Sequence, residues 1–158
     1  MEIKVYSEGE MESLGEAISK VIAPGDLIYI IGELGAGKTT LTRGIARGLG
    51  YSGRVTSPTF TLMNMYPADP EICHFDFYRL QEEELTDLGL NDYLERDAVS
   101  IVEWPQTGTG VLPGEALFIK IELCDDDYER ERLVSVSACG LRYERKLEEL
   151  RQYAGISH

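Results

Sequence analysis

The feature that most constrains this chain is the stretch from residue 32 to residue 39, which reads Gly-Glu-Leu-Gly-Ala-Gly-Lys-Thr. It fits the pattern G-x-x-x-x-G-K-[ST] of a phosphate-binding loop, or P-loop. Its flanks support the match, because residues 27–31 read as a short buried strand and residues 40–49 read as a helix. A strand, a glycine-rich loop and a helix in this order predict a site that holds the phosphates of a nucleotide.

The polar groups of this loop have defined roles in such a site. The glycines let backbone N–H groups point inward around the β- and γ-phosphates, aided by the positive end of the following helix. Lys38 is expected to bridge these phosphates as a point charge. Thr39 is expected to offer its hydroxyl group to Mg²⁺. The loop therefore predicts a nucleotide bound together with Mg²⁺.

Length and composition favour one soluble domain that spans residues 1–158. The net charge of −13 argues against broad binding of nucleic acid through its phosphates. No apolar run approaches ~18 residues, and the N-terminus lacks the features of a signal peptide, so we expect a cytoplasmic protein without membrane contact. The three cysteines show no CxxC spacing, so we expect reduced, mostly buried thiols at Cys73, Cys124 and Cys139.

Short apolar strands and amphipathic helices follow one another along the chain. The predicted strands cover residues 3–6, 27–31, 59–66, 71–77, 99–102, 116–123 and 133–137. The predicted helices cover 11–22 (after a capping box at 7–10), 40–49, 81–88, 92–96 and 143–154. Gly44 and Gly48 inside the second helix suggest close packing against a neighbouring element. We predict an α/β, P-loop NTPase-like three-layer domain, with a mixed, mostly parallel sheet flanked by helices and extended by antiparallel hairpins.

Two acidic residues end predicted strands, where a P-loop ATPase places the acid that holds Mg²⁺. Glu103 follows the apolar run 99–102 and is our preferred residue for the metal shell. Asp76 ends another strand and could order the metal or orient the attacking water. For either acid, a solvated strand-end carboxylate is the simpler alternative.

Other polar residues near these acids have both a functional and a structural interpretation. Thr56-Ser57-Pro58-Thr59 is typical of a switch segment that reaches the γ-phosphate, or of an ordinary Ser-Pro turn. His74 is predicted to be a structural histidine rather than a catalytic one. Trp104 fits a core residue, a nucleotide neighbour or a partner-binding anchor. Arg79 is expected to pair with a nearby acid and not to act as an arginine finger.

Together these segments resemble the TsaE family. The matching residues are Gly-Glu-Leu-Gly-Ala-Gly-Lys-Thr-Thr at 32–40, Ser-Pro-Thr-Phe at 57–60, His-Phe-Asp-Phe-Tyr-Arg-Leu at 74–80, Gly-Leu-Asn-Asp-Tyr at 89–93, Glu-Trp-Pro at 103–105 and Gly-Thr-Gly-Val-Leu-Pro at 108–113. They occur in the family's order between residues 25 and 115. Such a combination is far more specific than the loop alone.

The resemblance implies a cellular role that the motifs alone do not. Members of this family are small bacterial ATPases of tRNA threonylcarbamoyladenosine biosynthesis. They support a complex of TsaB and TsaD, which transfers a threonylcarbamoyl group to the adenosine beside the anticodon, and hydrolysis resets that complex between rounds. The resemblance thus implies ATP and Mg²⁺ as cofactors, TsaB and TsaD as partners, and only indirect contact with tRNA.

The resemblance also implies a role for individual positions. The phosphate-binding residues would be Gly35, Ala36, Gly37, Lys38, Thr39 and Thr40. Thr39 and Glu103 would hold Mg²⁺, and the catalytic residues would be Lys38, Asp76 and Glu103. One switch would contain Ser57, Pro58 and Thr59, and the other His74, Asp76 and Arg79. Which acid activates water stays open, as do two rival functions: a P-loop kinase for a small metabolite and a nucleotide-gated binding module with negligible turnover.

Overall fold

The computed structural model describes residues 1–33, 35–58, 63–77, 90–94, 96–105, 112–124 and 131–153, and the statements below refer to these residues. Their strands are β1 (Glu2–Val5), β2 (Leu27–Gly32), β3 (Met63–Tyr66), β4 (Ile72–Asp76), β5 (Val99–Glu103), β6 (Ala116–Leu123) and β7 (Arg132–Cys139). Their helices are α1 (Glu8–Ser19), α2 (Lys38–Gly48), α3 (Leu90–Leu94) and α4 (Leu141–Tyr153).

The seven strands form one mixed sheet in the order β1-β7-β6-β2-β5-β4-β3. The four strands β6, β2, β5 and β4 run parallel, while β3 at one edge and β7 and β1 at the other pair antiparallel with their neighbours. The central strands β2 and β5 are buried almost throughout, which explains why they read as continuous apolar runs. The predicted α/β class with a mixed sheet and flanking helices is confirmed.

The sheet brings the P-loop and the two candidate acids together at the carboxyl ends of its parallel strands. Parallel strands present their carboxyl ends together, so β2 ends at Gly32, where the P-loop begins, beside the end of β5 at Glu103. Asp76, at the end of β4, is the direct cross-strand neighbour of Glu103. The fold therefore places the loop and both predicted acids at the carboxyl ends of three adjacent strands.

The first two helices pack against each other through glycines. α1 begins with Ser7 as its N-cap, whose Oγ accepts a hydrogen bond from the backbone N–H of Glu10 at 3.1 Å. A Cβ atom on Gly44 of α2 would collide with the backbone of Glu12, and one on Gly48 would collide with Ser19. The close packing predicted from the two glycines of α2 is confirmed.

Some sequence predictions differ from the structure or fall outside it. Cys73 is buried, but Cys124 and Cys139 are exposed, so the prediction of mostly buried thiols is wrong: these two lie just after β6 and at the end of β7, where the strands leave the core. The short helix predicted at 92–96 is observed at 90–94. The helix predicted at 81–88 and the first part of the strand predicted at 59–66 lie outside the described residues. No helix in the described part of the chain has the length and apolarity needed to span a bilayer.

Candidate nucleotide site

The backbone of the loop adopts conformations that require glycine. Gly35 has a φ of 81° and Gly37 a φ of 115°, both in the left-handed region that side chains disfavour. Gly37 is also the N-cap of α2 and has no side chain with which to cap it. The first N–H groups of α2 therefore suit an anionic ligand. Leu34, inside the same loop, lies outside the described residues.

Lys38 is the first residue of α2, directly after the loop glycines, and is 6% exposed. Its Nζ donates to the carbonyl oxygens of Gly32 at 2.6 Å and Glu33 at 3.0 Å. The same atom lies 4.6 Å from the centroid of the Trp104 ring, within the range of a cation–π contact. Burial lowers the pKa of Lys38, and the negative charges of Glu103, Asp76 and Glu33 oppose that effect. The ammonium group is thus desolvated but lies within the field of the acids predicted to act with it.

Both acids are buried, which contradicts the alternative of solvated strand-end carboxylates. Asp76 is 3% exposed and Glu103 is 2% exposed. Buried carboxylates are costly unless they are hydrogen-bonded. Oε2 of Glu103 lies 2.7 Å from Nε2 of His74, and Oδ2 of Asp76 accepts a long hydrogen bond of 3.5 Å from Oγ of Ser57. The structure therefore joins Ser57, from the predicted first switch, to Asp76, and His74, from the second, to Glu103.

His74 is fully buried, as expected of a structural histidine, and both of its ring nitrogens have partners. Besides Glu103, these partners include Tyr66, whose hydroxyl lies 3.0 Å from Nδ1. The hydroxyl of Tyr66 also donates to the carbonyl oxygen of Thr56 at 3.2 Å. The sequence analysis missed Tyr66. Its spacing of two residues from Asn64 places both side chains on one face of β3, and this was the available signal that the two could act together.

Trp104 follows β5 in an unusual backbone conformation. Its φ is 59°, which is rare for a bulky residue and is found mostly at functional sites. Beside its half-buried ring opens a cleft of about 470 Å³, lined also by the ends of β2 and β6 at Ile31 and Ile121. Volumes of this order are typical of small-molecule sites. Trp104 both packs against the hydrophobic core and contacts Lys38, so its three interpretations stay predictions.

Arg132 also reaches the loop, and the sequence analysis missed it. It is 8% exposed at the start of β7, and its Nε donates to the carbonyl oxygen of Ala36 at 3.2 Å. The available signal was the alternation along β7, because Arg132 shares the buried face with Val134 and Val136. A cation in the buried series of a strand indicates a specific acceptor.

The arrangement fits a Mg²⁺ ion that phosphates help to hold. Thr39 lies half-buried in the first turn of α2, and Glu103 and Asp76 end neighbouring strands. In the described ranges no group of three or more His, Cys, Asp or Glu residues could form a metal site. Mg²⁺ commonly needs only one or two carboxylates, with water and phosphate completing its shell.

The remaining residues predicted from the sequence are placed only in part. Pro58 lies in a buried position after Ser57, and Thr40 is buried in α2, whereas Thr59 and Arg79 lie outside the described residues.

Comparison with known proteins agrees with this geometry. The family model "Threonylcarbamoyl adenosine biosynthesis protein TsaE" matches residues 5–133. The tRNA threonylcarbamoyladenosine biosynthesis protein TsaE of Bacillus subtilis (strain 168) is 43% identical over 148 residues, which cover 90% of this chain and 91% of that protein. The protein of the same name from Streptomyces coelicolor is 41% identical over 139 residues, or 84% of this chain and 93% of the relative.

A third relative and a solved structure are also similar to this chain. The TsaE protein of Haemophilus influenzae is 46% identical over 102 residues, which cover 63% of this chain and 65% of that protein. The crystal structure of Bacillus subtilis YdiB superposes with a TM-score of 0.84 at 34% identity, covering 97% of this chain and 95% of that one. The family match extends well beyond the loop, and its range contains the positions of both acids, the histidine and the tryptophan of the site. The chain belongs to the TsaE family of threonylcarbamoyladenosine biosynthesis proteins.

Proposed function

We propose that this chain binds ATP with Mg²⁺ and hydrolyses ATP to support, or reset, the complex that makes threonylcarbamoyladenosine beside the tRNA anticodon. The observation that carries the proposal is the position of Lys38. Its ammonium group lies on the P-loop carbonyls, in the field of the buried acids Asp76 and Glu103. Family membership supports the role in tRNA modification, and the geometry of the site supports the hydrolysis of ATP.

The residues of the loop would bind the phosphates. The backbone N–H groups of residues 35–40 and the ammonium group of Lys38 would meet the β- and γ-phosphates. Lys38 would exchange its present carbonyl acceptors at Gly32 and Glu33 for phosphate oxygens. Thr39 and Glu103 would hold Mg²⁺, which neutralises charge on the phosphates when it is bound. The cleft beside Trp104 is a candidate site for the rest of the nucleotide.

Asp76 would position the attacking water. The water oxygen forms a bond to the γ-phosphorus while the bond to the bridging oxygen of ADP breaks, which yields ADP and phosphate. Asp76 is buried beside Glu103 and contacts Ser57, so it lies where a polar segment can approach the γ-phosphate. Residues 57–59 and the stretch from His74 to Arg79 would respond to the γ-phosphate as the two switches.

TsaB and TsaD are the proposed partners, and tRNA would be met only through them. The net charge of −13 supports this division of roles, because a strongly acidic chain repels the phosphates of RNA. Weak turnover by the chain alone and faster turnover in the complex would then follow, since contact with the partners would position the switch residues Ser57 and Asp76 for hydrolysis.

The test is to measure phosphate release from ATP and Mg²⁺ by the chain alone and with TsaB and TsaD. We expect feeble turnover alone, a marked rise when both partners are present, and no turnover when EDTA removes Mg²⁺. Brisk turnover that needs a small-molecule acceptor and ignores the partners would favour a metabolite kinase, and the tRNA-modification role would fall. Nucleotide binding without turnover in any mixture would instead indicate a nucleotide-gated module.

A further inference from the structure

A series of hydrogen bonds, exposed at Thr56 and buried from Tyr66 onward, connects the segment 55–58 to Glu103. The carbonyl oxygen of Thr56 accepts from the hydroxyl of Tyr66 at 3.2 Å, and that hydroxyl lies 3.0 Å from Nδ1 of His74. Nε2 of His74 then lies 2.7 Å from Oε2 of Glu103. Tyr66, His74 and Glu103 are only 3%, 0% and 2% exposed. Water does not compete for the bonds among Tyr66, His74 and Glu103, so these three side chains constrain one another, whereas Thr56 lies at the exposed end of the series.

The sheet fixes the series in place. Asn64 and His74 are cross-strand partners in the β3–β4 pair, and Tyr66 lies two residues beyond Asn64 on the same face. His74 is in register with Ile101 on β5, two residues before Glu103. The three strands thus hold phenol, imidazole and carboxylate side by side, and the Thr56 carbonyl enters from the loop that precedes β3.

The hydroxyl of Tyr66 has one proton and two acceptors within reach. An ionised Glu103 requires an N–H at Nε2 of His74, and in the neutral ring Nδ1 then has to accept. Donation from Tyr66 to Nδ1 satisfies that tautomer. Donation from Tyr66 to Thr56 leaves Nδ1 without that donor. The carbonyl of Thr56 does not depend on Tyr66, because Nδ2 of Asn64 also donates to it at 3.1 Å.

We propose that Tyr66 and His74 are positioning residues that hold Glu103 ready for Mg²⁺ and couple it to the segment 55–58. This inference rests on the proposed function, because it takes Glu103 as the metal-binding acid. When Tyr66 donates to His74, the ring presents N–H to Oε2 of Glu103, and the other carboxylate oxygen is left for the hydration shell of the metal. A shift of the segment that takes the Thr56 carbonyl away from Tyr66 favours this state.

The coupling gives the second switch a physical link to the first. Ser57 already contacts Asp76, so movement of residues 55–58 acts on both acids: on Asp76 directly, and on Glu103 through Tyr66 and His74. Partners that hold a metal-binding side chain in orientation commonly change metal affinity or activity by ~10- to 100-fold when removed. A merely structural histidine would change stability instead.

The test compares Tyr66→Phe with Tyr51→Phe, and both variants remove a single hydroxyl. Tyr51 stacks on Tyr66 with ring centroids 5.0 Å apart, but its hydroxyl donates to the carbonyl oxygen of Arg54 and is not part of the series. Mg²⁺ is titrated into each ADP-saturated protein, and the emission of Trp104, the only tryptophan in the sequence, is recorded. Calorimetry in EDTA measures the affinity for ADP without metal, and a thermal melt checks the fold.

For Tyr66→Phe we expect the Mg²⁺ concentration at half-saturation to rise by ~10-fold, while ADP affinity in EDTA changes by less than about twofold. Tyr51→Phe should match the wild type in both. The ring ¹⁵N resonances of His74, one of two histidines in the sequence, should shift in Tyr66→Phe before any ligand is added. An unchanged Mg²⁺ dependence in Tyr66→Phe would overturn the inference even if the wild type hydrolyses ATP normally.

A double variant tests whether the effect passes through His74. Gln at position 74 keeps an N–H for Glu103 but removes the ring that Tyr66 orients. In a His74→Gln background, Tyr66→Phe should therefore add less than about twofold to the Mg²⁺ requirement. Full additivity would contradict the coupling. If the wild type bound no nucleotide with Mg²⁺ at all, the proposed function itself would fail, and this inference would fall with it.

Discussion

Glu103 is a buried carboxylate with two polar neighbours. It is 2% exposed, yet it has a short contact of 2.7 Å to His74 and lies next to Asp76. Two carboxylates side by side repel each other unless cations stand near. Lys38 supplies one cation, and a bound Mg²⁺ would supply a second. A bound Mg²⁺ would therefore reduce the repulsion between these two acids.

Glu103→Gln should reduce Mg²⁺-dependent turnover far more than it weakens ADP binding. The amide keeps the shape of the side chain but removes the charge, so we expect turnover to fall by about 100-fold. ADP affinity in EDTA, measured by calorimetry, should change by less than about threefold because Lys38 and the loop amides are untouched. Equal losses in turnover and in metal-free ADP binding would make Glu103 a structural residue only.

Nucleotide affinity should fall at alkaline pH through Lys38. Burial lowers the pKa of Lys38 below 10.5, and bound phosphates favour its charged form. Binding should therefore take up protons, and the Kd for ADP should rise as the pH increases through the lowered pKa. The sign for folding is the opposite: between that pKa and 10.5 the unfolded chain binds more protons, so the free energy of unfolding rises with pH.

Calorimetric titration with ADP at several pH values up to about 10 measures this dependence, and Lys38→Met serves as the control. The control should show weaker binding with a shallower dependence on pH over the same range. A wild-type Kd that does not change with pH up to about 10 would contradict a lowered pKa for Lys38.

The sequence predicted the residues whose roles follow from local pattern. Lys38 belongs to the P-loop motif, and Asp76 and Glu103 end apolar runs, so strand ends alone located them. Arg132 was missed because its acceptor, Ala36, is 96 residues away in the chain. The partnership of Tyr66 with His74 was missed for a related reason, since it depends on the register of β3 against β4.

At the scale of elements, the crossing of α1 and α2 positions the P-loop, because α2 begins within it. The helices approach so closely that Gly15 faces the backbone of Leu41 and Gly44 faces the backbone of Glu12. Such an approach has no room for side chains, so the glycines fix the distance between the helices. The cost in helix propensity, about 1 kcal/mol for each glycine relative to alanine, is offset by this packing.

Gly44→Ala should destabilise the protein by about 2 kcal/mol, because the added methyl group collides with backbone that cannot move aside. Gly9→Ala is the matched control. Gly9 is exposed in α1, and a Cβ there would meet only Ser7 at 3.8 Å, so alanine should stabilise by up to about 1 kcal/mol. Urea unfolding of both variants gives the comparison. Equal effects of the two substitutions would show that the crossing is not tight.

Predictions of elements were most accurate where the hydrophobic period was strong. The apolar stripe of α1 and the runs of β2 and β5 located those elements to within a few residues. The two exposed cysteines were predicted wrongly because composition says nothing about where a strand leaves the core. Asp26 shows the same limit. It is buried and forms ion pairs with Arg142 and Lys146 of α4, at 2.5 and 2.8 Å, and no local sequence pattern revealed these partners.

At the scale of the whole molecule, the candidate site and the ion pairs that attach α4 lie at opposite ends of the parallel strands. The carboxyl ends of β2, β4 and β5 carry the loop and the acids. Asp26, just before β2, lies at the opposite end of that strand, where its ion pairs attach α4 to the core. Ligands of open α/β sheets bind at the carboxyl ends of their strands, so the proposed ATP site has the expected location.

The most direct test of the account is phosphate release from ATP and Mg²⁺, in the presence of TsaB and TsaD, by the wild type and by Lys38→Ala. Lys38 makes the central contacts of the loop, so its loss should reduce turnover by at least about 100-fold. The melting temperature of the variant shows whether the fold is kept. Turnover retained by a folded Lys38→Ala variant would contradict the assignment of ATP hydrolysis to this site.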